Sequence, residues 1–246
     1  MLGLPPHVTA CLFDLDGVLT QTALVHNAAW KQTFDTFLRA WSAQHDQEFV
    51  PFDSGADYHQ YVDGRPRADG VRTFLASRGI TLPEGTPDDG PDLLTVNGLG
   101  NRKNILVLQK IKEGAVQVYE GSVEYLKAAQ RVGLRRAVVS ASANCKDVLE
   151  AAGIADLIEV RVDGVTAREQ GLPGKPAPDT FLYAAEQLGL DPKSCAVYED
   201  ALAGVAAGRA GAFGIVIGVD RVGQSQALLD NGADVVVSDL SELLTR

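Results

Sequence analysis

Short apolar runs and amphipathic stretches follow one another along most of this chain, and their order sets the architecture it predicts. Residues 8–13 (VTACLF) form a continuous apolar run that stops at the polar turn Asp14-Leu15-Asp16-Gly17, the pattern of a buried strand. From Leu24 to Trp41, apolar residues (Leu24, Val25, Ala28, Ala29, Phe34, Phe37, Leu38, Trp41) return at helical spacing. Further helices are predicted over 57–63, 68–77 and 99–112, the second closed by Gly79. A Pro-, Gly- and Asp-rich stretch at 83–91 reads as an exposed loop. Nothing between Ala23 and Lys112 reads as a buried strand.

The remainder changes character. Predicted strands at 134–139, 157–162, 194–198, 214–217 and 233–237 alternate with predicted helices at 122–130, 145–152, 179–188 and 202–210. Such alternation implies an α/β fold, a doubly wound parallel sheet with helices on both faces. The first strand belongs with this set by type, so the helical stretch reads as an insertion. The expected division is a Rossmann-like core made of residues 1–22 and 113–246, and an all-helical cap over residues 23–112.

Composition narrows the function classes. The 246 residues are 46% hydrophobic, enough for a sizeable core. A formal net charge of −10 repels nucleic-acid phosphates and anionic lipid, so neither is an expected partner. No apolar run reaches the ~18 residues of a membrane span. The first ten residues also lack a basic-then-apolar leader, and a cytoplasmic monomer is the expectation. Cys11, Cys145 and Cys195 are too few and too scattered for a disulfide framework or a zinc site, and read as buried free thiols.

The candidate chemistry lies where predicted strands end. The first strand runs into Asp14 and Asp16, the 134–139 strand into Ser140, and the 194–198 strand into Glu199 and Asp200. In an open parallel sheet ligands bind beyond the carboxyl ends of the strands, so these distant residues can converge. Lys175 sits in the turn Gly174-Lys175-Pro176-Ala177-Pro178-Asp179 before a helix. Four crowded carboxylates repel one another and call for a cation. An oxygen-only donor set suits a hard ion, best Mg²⁺. With that ion present, one carboxylate can attack a phosphate ester while Lys175 and Ser140 steady the phosphoryl oxygens. Asp16, two residues past Asp14, is placed to exchange a proton with the ester oxygen.

Phe13-Asp14-Leu15-Asp16-Gly17-Val18-Leu19-Thr20, Ser140, Lys175-Pro176-Ala177-Pro178-Asp179 and Glu199-Asp200 resemble the four motifs of the haloacid dehalogenase-like superfamily. The resemblance implies Asp14 as nucleophile and Asp16 as acid/base. It implies Mg²⁺ on the Asp14 carboxylate, the Asp16 main-chain carbonyl, Glu199 and Asp200, with Ser140 and Lys175 on the transferring phosphoryl group. Within that superfamily, Thr20-x-Thr22-Ala23-x-x-His26-x-x-x-Trp30, Gly64-x-x-Arg67-x-Asp69, Arg102-Lys103-Asn104 and Ser140-Ala141-Ser142-x-Asn144 resemble the β-phosphoglucomutase-like family. That family implies a small phosphorylated sugar as substrate and an aspartyl-phosphate intermediate. By match, His26 orients Asp16, Arg67 binds the distal phosphate, Lys103 and Asn104 contact the sugar or its phosphate, and Asn144 holds phosphate beside Lys175. Thr22, Trp30 and Ala141 fall at substrate-side positions of the same motifs. The expected activity is a phosphomutase, with a sugar-phosphate phosphatase of the same superfamily as the alternative.

Overall fold

Strand β1 (Ala10–Phe13) is followed by three helices, α1 (Thr22–Gln44), α2 (Arg67–Ser77) and α3 (Val96–Lys112). Then come α4 (Glu120–Arg131), β2 (Arg135–Val139), α5 (Cys145–Ala151), β3 (Val160–Val162), α6 (Gly164–Gln170) and α7 (Asp179–Gln187). The chain continues with β4 (Cys195–Glu199), α8 (Leu202–Ala210), β5 (Ile215–Val219), α9 (Ser225–Asp230) and β6 (Val235–Val237). This computed structural model describes residues 2–114 and 116–244. The chain divides into two units, Met1–Thr22 with Val116–Arg246, and Ala23–Ala115.

In the first unit, six parallel strands form one sheet in the order β3-β2-β1-β4-β5-β6. The order reverses at β1, so that β2 and β4 flank it on either side. Side chains alternate across a strand. Ala10 and Leu12 therefore join Ala137, Val139, Cys195 and Val197 in one core, which Phe181, Ala184 and Ala185 of α7 and Val205 and Ala207 of α8 complete. On the opposite face Phe13 stacks on Tyr198 with centroids 4.5 Å apart, and the Tyr198 and Tyr125 hydroxyls lie 2.8 Å apart. Cys11, Cys145 and Cys195 are free and buried.

The second unit is helical, with no strand among its described residues. Its core gathers Trp30, Phe34 and Phe37 of α1, Phe52, Tyr58, Val71 and Phe74, with Leu99 of α3. Phe34 and Phe74 pack with centroids 4.1 Å apart. Gly100 lets α3 approach α2, since a Cβ there would meet the aliphatic stem of Arg67 at 3.3 Å.

Three sequence expectations shift. The 57–63 helix is a single π-helical turn, Tyr58–Val62, because bonds from Tyr58 N to Asp53 O (3.2 Å) and from Asp63 N to Tyr58 O (3.0 Å) span five residues each. The 157–162 run splits into a 3₁₀ turn, Ala155–Leu157, and the short β3. Helices α6 and α9, absent from the sequence reading, follow β3 and β5. No helix among the described residues is long and apolar enough to cross a membrane.

Candidate active site

Register builds the centre of the site. Phe13 pairs with Val138 on one side and with Tyr198 on the other, so Asp14 comes level with the last residue of each neighbouring strand, Val139 and Glu199. Asp14 continues the Ala10–Leu12 row and Glu199 the Cys195–Val197 row, so both carboxylates emerge on the face covered by α7 and α8. A bond from Asp14 N to Tyr198 O, 2.9 Å long, carries the ladder to this point.

Lys175, buried in the turn that leads into α7, joins the two. Its Nζ donates to Asp14 Oδ1 and to Glu199 Oε1 at 2.5 Å each, and to Val139 O at 3.0 Å. The other Glu199 oxygen accepts from Ala201 N at 3.0 Å. The carboxylate packs directly against Gly204, where a Cβ would lie 1.8 Å from Glu199 Oε1, so only glycine leaves it this place. Asp14, Glu199 and Asp200 each offer an oxygen within 4.8 Å of the others, and all three residues are buried.

One lysine stands against this group of acids. Burial, with the charges of Glu199 and Asp16, pushes the Asp14 carboxyl well above the usual carboxylate range, although Lys175 pulls the other way. Lys175 itself is held above its ordinary value, because Asp14 and Glu199 outweigh the cost of its burial. The cluster thus carries an excess of negative charge, its donors are oxygens only, and it contains neither His nor Cys. A hard divalent cation fits that donor set.

Asp16 lies on the tight turn after β1. Gly17 there has φ +95°, and a Cβ on it would fall 1.8 Å from Asp200 Oδ2, so glycine lets the turn press against the second acid loop. Gly17 N donates to Thr20 O (2.7 Å) and Thr20 N to Leu15 O (2.9 Å). The Thr22 hydroxyl donates to Asp16 Oδ1, and the Thr20 hydroxyl lies 2.6 Å from that of Thr22. Ser140, whose N donates to Val162 O at 2.9 Å, points its hydroxyl at Asp16 Oδ2 from 3.4 Å. Ser140 Oγ also accepts from Ser142 N at 3.1 Å, and Ser142 Oγ from Asn144 N at 3.2 Å, which shapes the loop carrying Ala141 and Asn144. Asp14, Asp16, Ser140, Lys175, Glu199 and Asp200 are therefore drawn together at the carboxyl end of the sheet.

The remaining candidates belong to the helical unit and form groups of their own. Lys103 Nζ lies 2.7 Å from His26 Nδ1 and 4.9 Å from the centre of the Trp30 ring. Trp30 stacks on Phe34 at 5.0 Å and is only 3% exposed, as a core residue of its amphipathic helix. Arg67 opens α2 and donates to Asn101 Oδ1 at 3.0 Å. Asn104 follows Lys103 on α3 and is half-buried. Sequence reasoning missed the Thr20 hydroxyl and the direct contact of Thr22 with Asp16. A pair of threonines two apart after an acidic turn was the available signal.

The model of the haloacid dehalogenase-like hydrolases matches residues 8–211. The β-phosphoglucomutase of Mycobacterium bovis is 55% identical, over 99% of this chain and 94% of that relative. The β-phosphoglucomutase of Bacillus subtilis is 31% identical, over 95% and 91%. In three dimensions the chain resembles the crystal structure of β-phosphoglucomutase from Clostridium difficile with a TM-score of 0.76 and 24% identity, over 96% of this chain and 93% of that one. That last likeness speaks to the fold, while the family match and the full-length relatives speak to descent: this chain belongs to the haloacid dehalogenase-like hydrolase family, in its β-phosphoglucomutase branch.

Proposed function

We propose that this chain is a Mg²⁺-dependent phosphomutase that converts β-glucose 1-phosphate to glucose 6-phosphate. The observation that carries this reading is the 55% identity to a β-phosphoglucomutase over nearly the full length of both chains. The buried group Asp14, Glu199, Asp200 and Lys175 supports it from chemistry.

In this reading the phosphorylated Asp14 carboxylate gives its phosphoryl group to the 6-hydroxyl of the sugar, and Asp16 takes up the hydroxyl proton. The resulting bisphosphate returns its 1-phosphoryl group to Asp14, Asp16 hands the proton to the departing oxygen, and glucose 6-phosphate leaves. Lys175 and Ser140 hold the equatorial oxygens throughout. Mg²⁺ on the Asp14 carboxylate, the Asp16 carbonyl, Glu199 and Asp200 would supply the positive charge that lets two anions meet. Thr22, bonded to Asp16 Oδ1, keeps that carboxylate turned for proton exchange. Arg67 grips the non-transferring phosphate with its planar fork, and His26, Trp30, Lys103, Asn104, Ala141 and Asn144 complete the substrate contacts.

Product analysis tests the reading. The chain is incubated with Mg²⁺ and β-glucose 1-phosphate, with and without a trace of β-glucose 1,6-bisphosphate. Glucose 6-phosphate, formed faster with the bisphosphate, is expected. Free phosphate as sole product makes the chain a sugar-phosphate phosphatase instead.

A further inference from the structure

The turn after β5, residues 220–224, takes no part in the chemistry above, yet it reaches both acid-bearing loops. Asp220 builds it. Its Oδ1 accepts from the amides of Val222 (3.1 Å), Gly223 (2.7 Å) and Gln224 (2.9 Å), and its Oδ2 accepts from the Ser225 hydroxyl. Two side chains of this turn then point in different directions. Gln224 Nε2 donates to Asp200 O at 3.0 Å. Arg221 Nε donates to Gly17 O at 2.9 Å, and its Nη2 to Val18 O at 3.3 Å.

The rest of the guanidinium is committed as well. Nη1 donates to Ser238 O (2.8 Å) and Asp239 Oδ2 (3.1 Å), Nη2 also donates to Ser122 Oγ (3.2 Å), and the group lies 3.5 Å from the centre of the Tyr119 ring. An arginine held on this many sides is a rigid part, not a solvated charge. Its fork satisfies the carbonyls of two buried residues in the turn that carries Asp16. The same turn meets Asp200 at Gly17. The Asp16 turn is thus held by Arg221 and packed against Asp200, and Asp200 is itself tied back to the 220–224 turn through Gln224.

We propose that Arg221 is a positioning residue for the proton-transfer half of the reaction: it fixes the Asp16 turn so that the Asp16 carboxylate stays aligned with the oxygen that gains or loses its proton. This rests on the assignment of Asp16 as acid/base. A displacement of about 1 Å at such a group costs roughly 10²-fold in rate. Nucleophilic attack by Asp14 on a phosphoryl donor whose leaving group needs no proton makes no such demand on the Asp16 carboxylate, and saturating Mg²⁺ offsets any weakening of the metal through the Asp16 carbonyl.

The full chain, with Arg221→Ala, Arg221→Lys and Gln224→Ala, provides the test, all at saturating Mg²⁺. Two reactions are compared: isomerisation of β-glucose 1-phosphate, and phosphorylation of Asp14 by acetyl phosphate followed by mass spectrometry. For Arg221→Ala, kcat of isomerisation is expected to fall about 10- to 100-fold with KM changed less than about twofold, while phosphorylation by acetyl phosphate stays within about threefold of wild type. Added guanidinium ion should restore part of the lost kcat. Arg221→Lys keeps the charge without the fork and should remain impaired; it carries the test if the alanine variant folds poorly. Gln224→Ala should lower isomerisation kcat to a smaller degree. Equal losses in both reactions, no recovery with guanidinium, or a lysine variant equal to wild type each overturn the proposal. If wild type accepts acetyl phosphate but isomerises no sugar phosphate, the functional reading fails on its own. Hydrolysis of phenyl phosphate, whose leaving group does need a proton, then replaces isomerisation in the same comparison.

Discussion

Lys175 Nζ lies 2.5 Å from Asp14 Oδ1, joining residues 161 positions apart, and both are buried at the mouth of the sheet. The same nitrogen holds Glu199, so a single cation serves two acids.

Removing that cation leaves two buried carboxylates facing each other. Truncating one partner of a buried pair costs about 3 kcal/mol or more, which for a protein of this size corresponds to roughly 6–12 °C in melting temperature. Metal-free Lys175→Ala is therefore expected to melt lower than wild type by about that interval, and Mg²⁺ should raise its Tm more than it raises that of wild type. An identical Mg²⁺ response in the two proteins would show that lysine and metal do not share the same charge.

An amide in place of the proposed nucleophile should stop the chemistry. Asp14→Asn is expected to lose at least about 10³-fold in turnover and to give no phosphoprotein with acetyl phosphate. Turnover near wild type would remove Asp14 from its role.

The acid pair at the end of β4 should set the metal requirement. Chelation of divalent ions should abolish activity and added Mg²⁺ restore it. Replacing both Glu199 and Asp200 by alanine should raise the half-saturating Mg²⁺ concentration by more than about tenfold. An unchanged Mg²⁺ titration counts against these ligands.

In its proposed role on the non-transferring phosphate, Arg67 should separate mutase from hydrolase chemistry. Loss of a charge-assisted fork to phosphate is worth about 10- to 100-fold. Arg67→Ala should cut isomerisation by that factor while hydrolysis of p-nitrophenyl phosphate, which has no second phosphate, changes less than about twofold. Equal losses in the two assays would place Arg67 outside substrate binding.

The Asp220 turn gives the stability a pH dependence. Burial pushes the Asp220 carboxyl up, but the Ser225 hydroxyl and the amides of Gln224, Val222 and Gly223 outweigh it and hold the group below its ordinary value. A carboxyl that releases its proton more readily when folded adds stability above its unfolded pKa of about 3.9, and that contribution is lost as pH falls below about 4 toward the folded value. Asp220→Asn should melt lower than wild type near neutral pH, with the gap closing below about pH 4. A gap independent of pH would mean that the ionised form contributes nothing.

What could be read from the chain followed from strand physics. Buried parallel strands carry nearly continuous apolar runs, so a polar residue just after such a run marks the strand end and a candidate site position; Asp14 and Ser140, after ACLF and AVV, were read in this way, and Glu199 differs only in closing its strand instead of following it. The long amphipathic α1 was legible from apolar residues returning at helical spacing, and residues 23–112 read as helical because no buried strand run interrupts them. Helix α6 was not, because GVTAREQ has no apolar stripe and depends on Asp163, whose carboxylate caps it through Val165 N and Thr166 N. The six residues of α9 are too few for a period to show. Arg221 was invisible for a different reason: a lone arginine in a loop carries no pattern, and its partners at 17, 18, 122, 238 and 239 meet it only in the folded chain.

Placing β1 between β2 and β4 has a consequence for synthesis. The strand that leaves the ribosome first is flanked by neighbours whose last residues are 139 and 199, whereas residues 23–115 emerge as one uninterrupted stretch. A nascent chain that ends after β2 has Asp14 without Lys175 or the acids of β4, and β1 with one edge unpaired. The acid group is complete only once β4 has been made, and until then that open edge is a surface prone to wrong pairing.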